Sequence, residues 1–440
     1  MEVLDYELMN KKFFKKGTTH MFRYARFFLG TLLLISGQSL CATLALDFIK
    51  PYDRYLWTNE PKSKGTFQID VYGASSFHER GVRWDHTKIC NVLQIWQCDQ
   101  NALAMVQGFD PNSTIGQLAA ELNGISDDGV RGHLIPSAHF HMAEFGISGK
   151  YWLPHGFSLG LFFPFVRMQL NNVKWCDCTK EQTEADLLTK DLLTGNLAQN
   201  VCNLGGPDIC SGWKRTGIGD VSAVLRWEQD FPQSKPILTN VLLSLYLGLS
   251  LPTGKTQDED RLFALPFGYD GSPGILFGGS LNLVWKHHFC GGVDLNFTQL
   301  MGDTRLRRVK TSYDQTELLL LAKTSAHIDW GFLQRYRLYL GANNIIRGFS
   351  FDVNYQFQKQ GNNILTICTN DYISTIANSA ESLKQWTIHQ FGVDLSYDFG
   401  FDFAEDARLT PSIIFFYRKA FKGCRAILAD KWGFSFVFSF

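Results

Sequence analysis

Apolar and polar residues alternate with a period of two along much of the chain, which is how a β-strand with one apolar and one polar face is written. The last ten residues are the sharpest case: Trp432, Phe434, Phe436, Phe438 and Phe440 alternate with Lys431, Gly433, Ser435, Val437 and Ser439. Within 238–252, Val241, Leu243, Leu245, Leu247 and Leu249 face one way, and Asn240, Ser244, Tyr246, Gly248 and Ser250 the other. Twelve such segments are predicted, near 66–76, 138–152, 156–170, 217–229, 238–252, 274–287, 289–301, 314–330, 333–346, 385–398, 407–419 and 431–440. The links between them alternate in length. Those at 153–155, 230–237, 288, 331–332 and 399–406 are short, and those at 77–137, 171–216, 253–273, 302–313, 347–384 and 420–430 are longer. An even strand count with short turns on one side and long loops on the other is the arrangement of an outer-membrane barrel. A compact soluble domain does not carry structureless loops of 40 to 60 residues. The expected fold is therefore all-β: one transmembrane antiparallel barrel over 66–440, with its long loops 77–137, 171–216 and 347–384 outside the cell. The stretch 349–357 also alternates, and with 363–368 it would raise the count to fourteen.

Charge and composition narrow this further. A net charge of zero leaves no footprint for nucleic acid. A mean hydropathy of −0.10 argues against a bundle of membrane helices. The one continuous apolar run, 27–37, is too short to span a bilayer as a helix. It follows Arg23 and Arg26 and precedes Ser39, Ala42 and Ala45, so 1–45 reads as a secretory signal peptide, with Met21 as an alternative start. Residues 46–65 would then form a short periplasmic or plug segment. Cys41 is preceded by Gln38, Ser39 and Leu40, a poor lipidation signal. Nine further cysteines remain, and export to an oxidising compartment makes Cys90, Cys98, Cys176, Cys178, Cys202, Cys210, Cys368 and Cys424 candidates for disulfides. The Cys176-x-Cys178 spacing is too tight for the usual zinc pair, and no metal or cofactor is implied. Apolar residues at helical spacing within 89–105 (Val92, Leu93, Trp96, Leu103 and Met105) suggest a short loop helix.

A passage presents its selectivity on the inward face. The inward set expected here is Asp220, Arg226, Glu228, Asp294, Asn296, Glu317, Lys323, His327, Asp329, Arg335, Arg337, Asp394, Arg408 and Arg418. His327 and Asp329 are expected beside Arg335 and Arg337 at a periplasmic turn, as internal ion pairs or as a ring meeting solute. Neither sign dominates, so no ion selectivity follows. His139 and His141 share a strand face but lack companion metal ligands, and they read as inward polar side chains. No Gly-x-Ser-x-Gly or His-Glu-x-x-His arrangement is present, so no residue is assigned a catalytic role.

The ending at Trp432, Phe434, Phe436, Phe438 and Phe440 resembles the C-terminal signal read by the bacterial barrel assembly machinery. Gly217-Ile218-Gly219-Asp220-Val221, Leu225-Arg226-Trp227, the Pro252-Thr253-Gly254-Lys255 turn and the glycines at 271–280 resemble an outer-membrane transporter family. This is the phenol-degradation meta-pathway family, related to the long-chain fatty-acid transporters. The resemblance implies an outer-membrane channel that moves small, often hydrophobic solutes, with outer-membrane lipid around it. Fewer residues precede the first strand here than in the fatty-acid transporters, which carry a plug-like N-terminal segment. The alternatives are a surface-display barrel carrying crosslinked loops and a membrane-embedded hydrolase.

Overall fold

The computed structural model describes residues 46–440 except 57–64, 86–88, 123, 287 and 402–409. The signal peptide expected in 1–45, with Met21 and Cys41, lies outside the described residues, as does Arg408. Twelve strands form a closed antiparallel barrel. They are β1 (Phe67–Val82), β2 (His133–Trp152), β3 (Phe157–Asp177), β4 (Val221–Pro232), β5 (Leu238–Leu251), β6 (Gly274–Trp285), β7 (Phe289–Leu300), β8 (Leu333–Ile346), β9 (Phe349–Gln360), β10 (Trp386–Asp398), β11 (Thr410–Cys424) and β12 (Ala426–Ser439). Each pairs with the next, and β12 pairs back onto β1, so no sheet edge is left in the ring. A short extra strand, Trp213–Ile218, precedes β4 and pairs with β3.

The count of twelve holds, but one expected strand is replaced. Residues 314–330 do not cross the membrane, because Leu318–Leu319–Leu320–Leu321–Ala322 is a continuous apolar run buried on every side. Such a run has no polar face to give to a lumen. Only Lys323–Asp329 within it is a strand, and it pairs with Asp303–Arg308 and Ile364–Ile367 in a small sheet outside the barrel ring. The stretch 349–357, whose alternation would raise the expected count to fourteen together with 363–368, supplies the missing strand as β9. Its turn from β8 is Arg347-Gly348, at φ 37° and 86°, the left-handed pair that a tight antiparallel hairpin requires. Residues 331–332 are therefore not a periplasmic turn, and the expected loop 347–384 divides into that turn and an outer loop, 361–385. The expected loop 420–430 is mostly strand, with β11 and β12 joined at Arg425.

The outward faces carry the apolar residues. Phe157, Leu159, Leu161, Phe163 and Phe165 of β3 are each about 40% exposed, as are Leu245, Leu247, Leu249 and Leu251 of β5 or more so. Hydrocarbon solvates such a band about 25 Å tall. It is bracketed by aromatics: Phe67 stacks on Phe440 at the turn end, and Phe277, Phe297 and Phe332 cluster with ring centroids 5.5–5.8 Å apart at the loop end. The outer loops 83–132, 178–212, 252–273 and 301–332 pack on one another through a core that includes Leu93, Met105, Phe140, Trp213, Phe263 and Leu319. The helix expected in 89–105 is two separate single turns, Val92–Gln94 and Ala102–Met105, whose apolar residues join that core.

Candidate functional site

Inward positions of the barrel are buried, and the charged ones among them fall into ion-pair networks. Arg337 lies 2.9 Å from Asp394, 3.4 Å from Asp352 and 3.7 Å from Asp294, and Arg418 also pairs with Asp394. On the opposite wall, Lys150 lies 2.9 Å and Arg226 3.6 Å from Glu228. Tyr246 donates to Asn296 at 2.8 Å. In so closed a space a charge without its counterpart is costly, which is why both signs occur together. Asp220, Arg226, Glu228, Asp294, Asn296, Arg335, Arg337 and Asp394 therefore sit where the alternation put them.

Four expected lumen residues do not. Glu317 is buried among the outer loops, accepting from Glu381 N at 2.8 Å and from Ser382 Oγ. Burial outweighs those donors and pushes its carboxyl up. Lys323 pairs with Asp260 at 2.7 Å, and His327 with Asp329 at 3.4 Å, on the small outer sheet. His327 and Asp329 are thus on the loop side of β8, and the charged cluster expected at a periplasmic turn does not form there. The cause is the misplaced strand 314–330.

The space between the walls is filled by residues 46–56. Ile49 N donates to Glu144 of β2 at 2.9 Å, and Lys431 of β12 donates to Glu144 at 2.8 Å and to the Asp47 carbonyl. Arg335 of β8 holds Asp53 at 2.7 Å and Asp47 at 3.8 Å. Arg54 reaches Asp352 of β9 at 2.9 Å, with its guanidinium 4.1 Å from the centre of the Tyr339 ring. Tyr52 stacks on Tyr246 at 5.8 Å, and Ile49 and Leu56 pack on Tyr72, Phe162 and Phe416. Gly146, opposite Tyr72, leaves room for that ring, since a Cβ there would lie 2.3 Å from it. The segment is a plug held from around the barrel by ion pairs and stacking. Of its ion-pair partners on the strands only Arg335 belongs to the expected inward set, and nothing periodic marks 46–56 itself.

The motifs that carried the family resemblance meet in space. The extra strand and β4 break at Gly219-Asp220, and β5 ends beside that break at Leu251, opposite Val221, where the Pro-Thr-Gly-Lys turn begins. Thr253 Oγ1 donates to the Gly219 carbonyl at 2.8 Å and accepts from Val221 N at 3.0 Å. Gly254 N and Tyr269 N both donate to the Asp220 carboxylate, and Lys255 Nζ donates to the Thr216 carbonyl at 2.6 Å. Gly268 carries no Cβ because one would lie 2.1 Å from the Asp220 carboxylate. At this seam side chains, not a backbone ladder, close the wall.

Above the plug, the outer loops enclose a cavity of about 160 Å³. Phe263, Leu318, Trp330 and Leu383 give it an apolar lining, and Asp258, Arg307, Arg308 and Lys310 give it charged groups. Asp270 links cavity to plug: Arg305 and Arg307 pair with it, and its neighbour Tyr269 lies under Lys50 of the plug, 4.6 Å from the ring centre. The nine described cysteines are all free thiols, so the expected disulfides are not formed in this structure. Cys290 lies inside the barrel beside Arg54, far from the loop cysteines in the fold. His139 and His141 alternate in phase with the exposed Phe145 and Ile147 and so face outward, not inward.

No family model matches the chain, and no curated protein matches it in sequence. Among solved structures it is similar to an outer-membrane channel from Pseudomonas putida F1, with a TM-score of 0.46 at 10% identity over 89% of this chain and 100% of that one. It is also similar to the Pseudomonas putida toluene transporter TodX (TM-score 0.29, 9% identity, 91% and 95% covered). A third is a Pseudomonas aeruginosa FadL homologue (TM-score 0.28, 8% identity, 88% and 94% covered).

Proposed function

We propose that the protein is an outer-membrane channel for small, partly apolar solutes, gated by the plug 46–56. The observation that carries this reading is that residues 46–56 fill the lumen through ion pairs, hydrogen bonds, stacking and apolar packing, all of which can be released without breaking a covalent bond. The outer cavity, lined by apolar side chains together with buried charged groups such as Arg307 and Lys310, is suited to collect such solutes. Export by the segment 1–45, insertion through the aromatic ending of β12, and oxidation of loop thiols after export belong to the same reading. The test is flux of a small aromatic solute into vesicles holding the refolded protein. Slow flux in the wild type and faster flux in Arg335→Ala support the gate. A folded Arg335→Ala variant with no more flux than protein-free vesicles sinks it.

A further inference from the structure

On the outer wall of the barrel, three side chains stand in the order of a nucleophile, a base and its orienter. Ser75 Oγ lies 3.5 Å from Nε2 of His141, and Nδ1 of the same ring lies 3.5 Å from a carboxylate oxygen of Glu79. Glu79 is itself held by the Ser76 hydroxyl. The hydroxyl can donate to Nε2 while Nδ1 faces the carboxylate at ion-pair distance, an arrangement that favours the tautomer a serine hydrolase uses. Both contacts are long, as such pairs often are without substrate.

Local structure explains how three separate positions meet. In the β1–β2 ladder Ser75 pairs with Ala143, so His141, two residues along β2, is its diagonal neighbour on the outward face. In a regular strand Glu79 would stand four residues, roughly 13 Å, beyond Ser75. The ladder to β12 instead shifts register between Phe77 and Arg80, with His78 at φ 52°, and this bulge draws Glu79 back onto the imidazole. Bulges re-aim side chains in this way beside active sites.

The place in the membrane defines the substrate. Ser75 is flanked by Ala143 and Trp432, one step above the row that holds Phe145, Phe165 and Phe434. The apolar band therefore ends at the serine, at the level where acyl esters of the outer leaflet lie. Across Ala143 in the same row stands Arg167, and one step higher Lys214 pairs with Gln169. Both are exposed, and among the described residues neither has a hydrogen-bonding or ionic partner. Two unpaired cations above an apolar wall are complementary to a phosphate-bearing headgroup.

We propose that the outer wall is the active site of an acyl hydrolase acting on phosphate-bearing lipid. Ser75 Oγ attacks the ester carbonyl carbon as His141 Nε2 takes the hydroxyl proton. Collapse of the tetrahedral adduct breaks the bond to the alcohol oxygen, which receives that proton from His141. Water, deprotonated by His141, then cleaves the acyl-serine, releasing the fatty acid and returning the proton to Ser75. Ser75 and His141 are the catalytic residues, Glu79 is a positioning residue, and Arg167 with Lys214 holds the phosphate. This site is independent of the lumen and of the gating reading.

The test uses the full-length refolded protein, its fold checked by heat-modifiable gel mobility. A fluorophosphonate probe is expected to label Ser75. Fatty acid is expected to be released from phosphatidylethanolamine vesicles if the substrate is a glycerophospholipid, and from lipid A alone if it is the glycolipid. Folded Ser75→Ala and His141→Asn should each lose at least about a hundredfold of the release. Glu79→Gln should lower kcat with KM unchanged. Arg167→Gln should raise KM for the phospholipid but not for a neutral p-nitrophenyl ester. Folded wild type that takes no label and releases no fatty acid from either lipid overturns the proposal, as does release that survives in Ser75→Ala.

Discussion

Arg335 is the residue on which the plug most depends, because its guanidinium serves Asp53 and Asp47 at once. Removing one partner of a buried pair typically costs about 3–5 kcal/mol, since a charge is left without its counterpart. Arg335→Ala is therefore expected to favour the undocked plug by about two to three and a half orders of magnitude, at about 1.4 kcal/mol per tenfold. Single-channel recording should show long closures in the wild type replaced by frequent openings; unchanged closures would mean that stacking at Tyr52 holds the plug by itself. Arg335 and Arg337 were legible in the sequence because they alternate on a well-marked strand, whereas Asp47, Asp53 and Arg54 lie in a segment with no period. A second residue-scale expectation concerns His133, whose ring bonds Asp99 and, at 3.0 Å, Asp127. Burial works against the charged ring, but the two carboxylates outweigh it and hold His133 above the ordinary histidine range. A raised value means the clamp is fully present below about pH 6.5 and is lost as pH rises through the folded-state value. Amide exchange in loop 83–132 should accordingly quicken from pH 6 to pH 9 after correction for intrinsic rates, and His133→Asn should abolish the difference.

At the scale of elements, the seam between the extra strand and the turn after β5 is the weak line in the wall. Elsewhere a backbone ladder closes the barrel, while here Thr253, Asp220 and Lys255 do so with side chains. Asp220→Ala removes the acceptor of two backbone N–H groups, and each buried donor left unpaired costs about 1–3 kcal/mol. The variant is expected to keep its barrel yet expose the 252–273 loop to protease, with cleavage there rising severalfold; equal cleavage would place the strength of the seam in Thr253 instead. Sequence marked these pieces as motifs without showing that they touch, because contact between 217–221 and 252–255 depends on strand register. The same limit explains the strand misplaced at 314–330. Its charged and His residues at 314, 317, 323, 327 and 329 imitated an inward face, and the buried run 318–322 looked like a lipid face. Only packing against the other outer loops distinguishes such a run from a strand. Conversely, β9 was partly visible, since Phe351, Val353 and Tyr355 alternate with Asp352, Asn354 and Gln356.

For the molecule as a whole, the outward apolar band sets a depth scale that both the gate and the outer-wall site must obey. On β3 it runs through Phe157, Leu159, Leu161, Phe163 and Phe165, and it stops at Arg167. Arginine at the bilayer midplane of a barrel costs about 2–4 kcal/mol, falling to about 0–1 near the interfaces. Substituting arginine at each outward β3 position in turn should therefore give a destabilisation profile that peaks at Leu161 and is small at Phe157 and Phe165. Reversible denaturant unfolding in lipid vesicles is the measurement. A peak at Leu161 puts Arg167 at the outer headgroups, and the row of Ser75 and Ala143 within two tilted strand steps of it. A peak displaced to Phe165 would sink the Ser75 row into hydrocarbon, where neither water nor a phosphate could reach it. The twelve-strand count and the two-faced wall follow from alternation that was visible in the sequence. The depth of that wall is a property of the closed barrel, in which each strand's height is set by its neighbours.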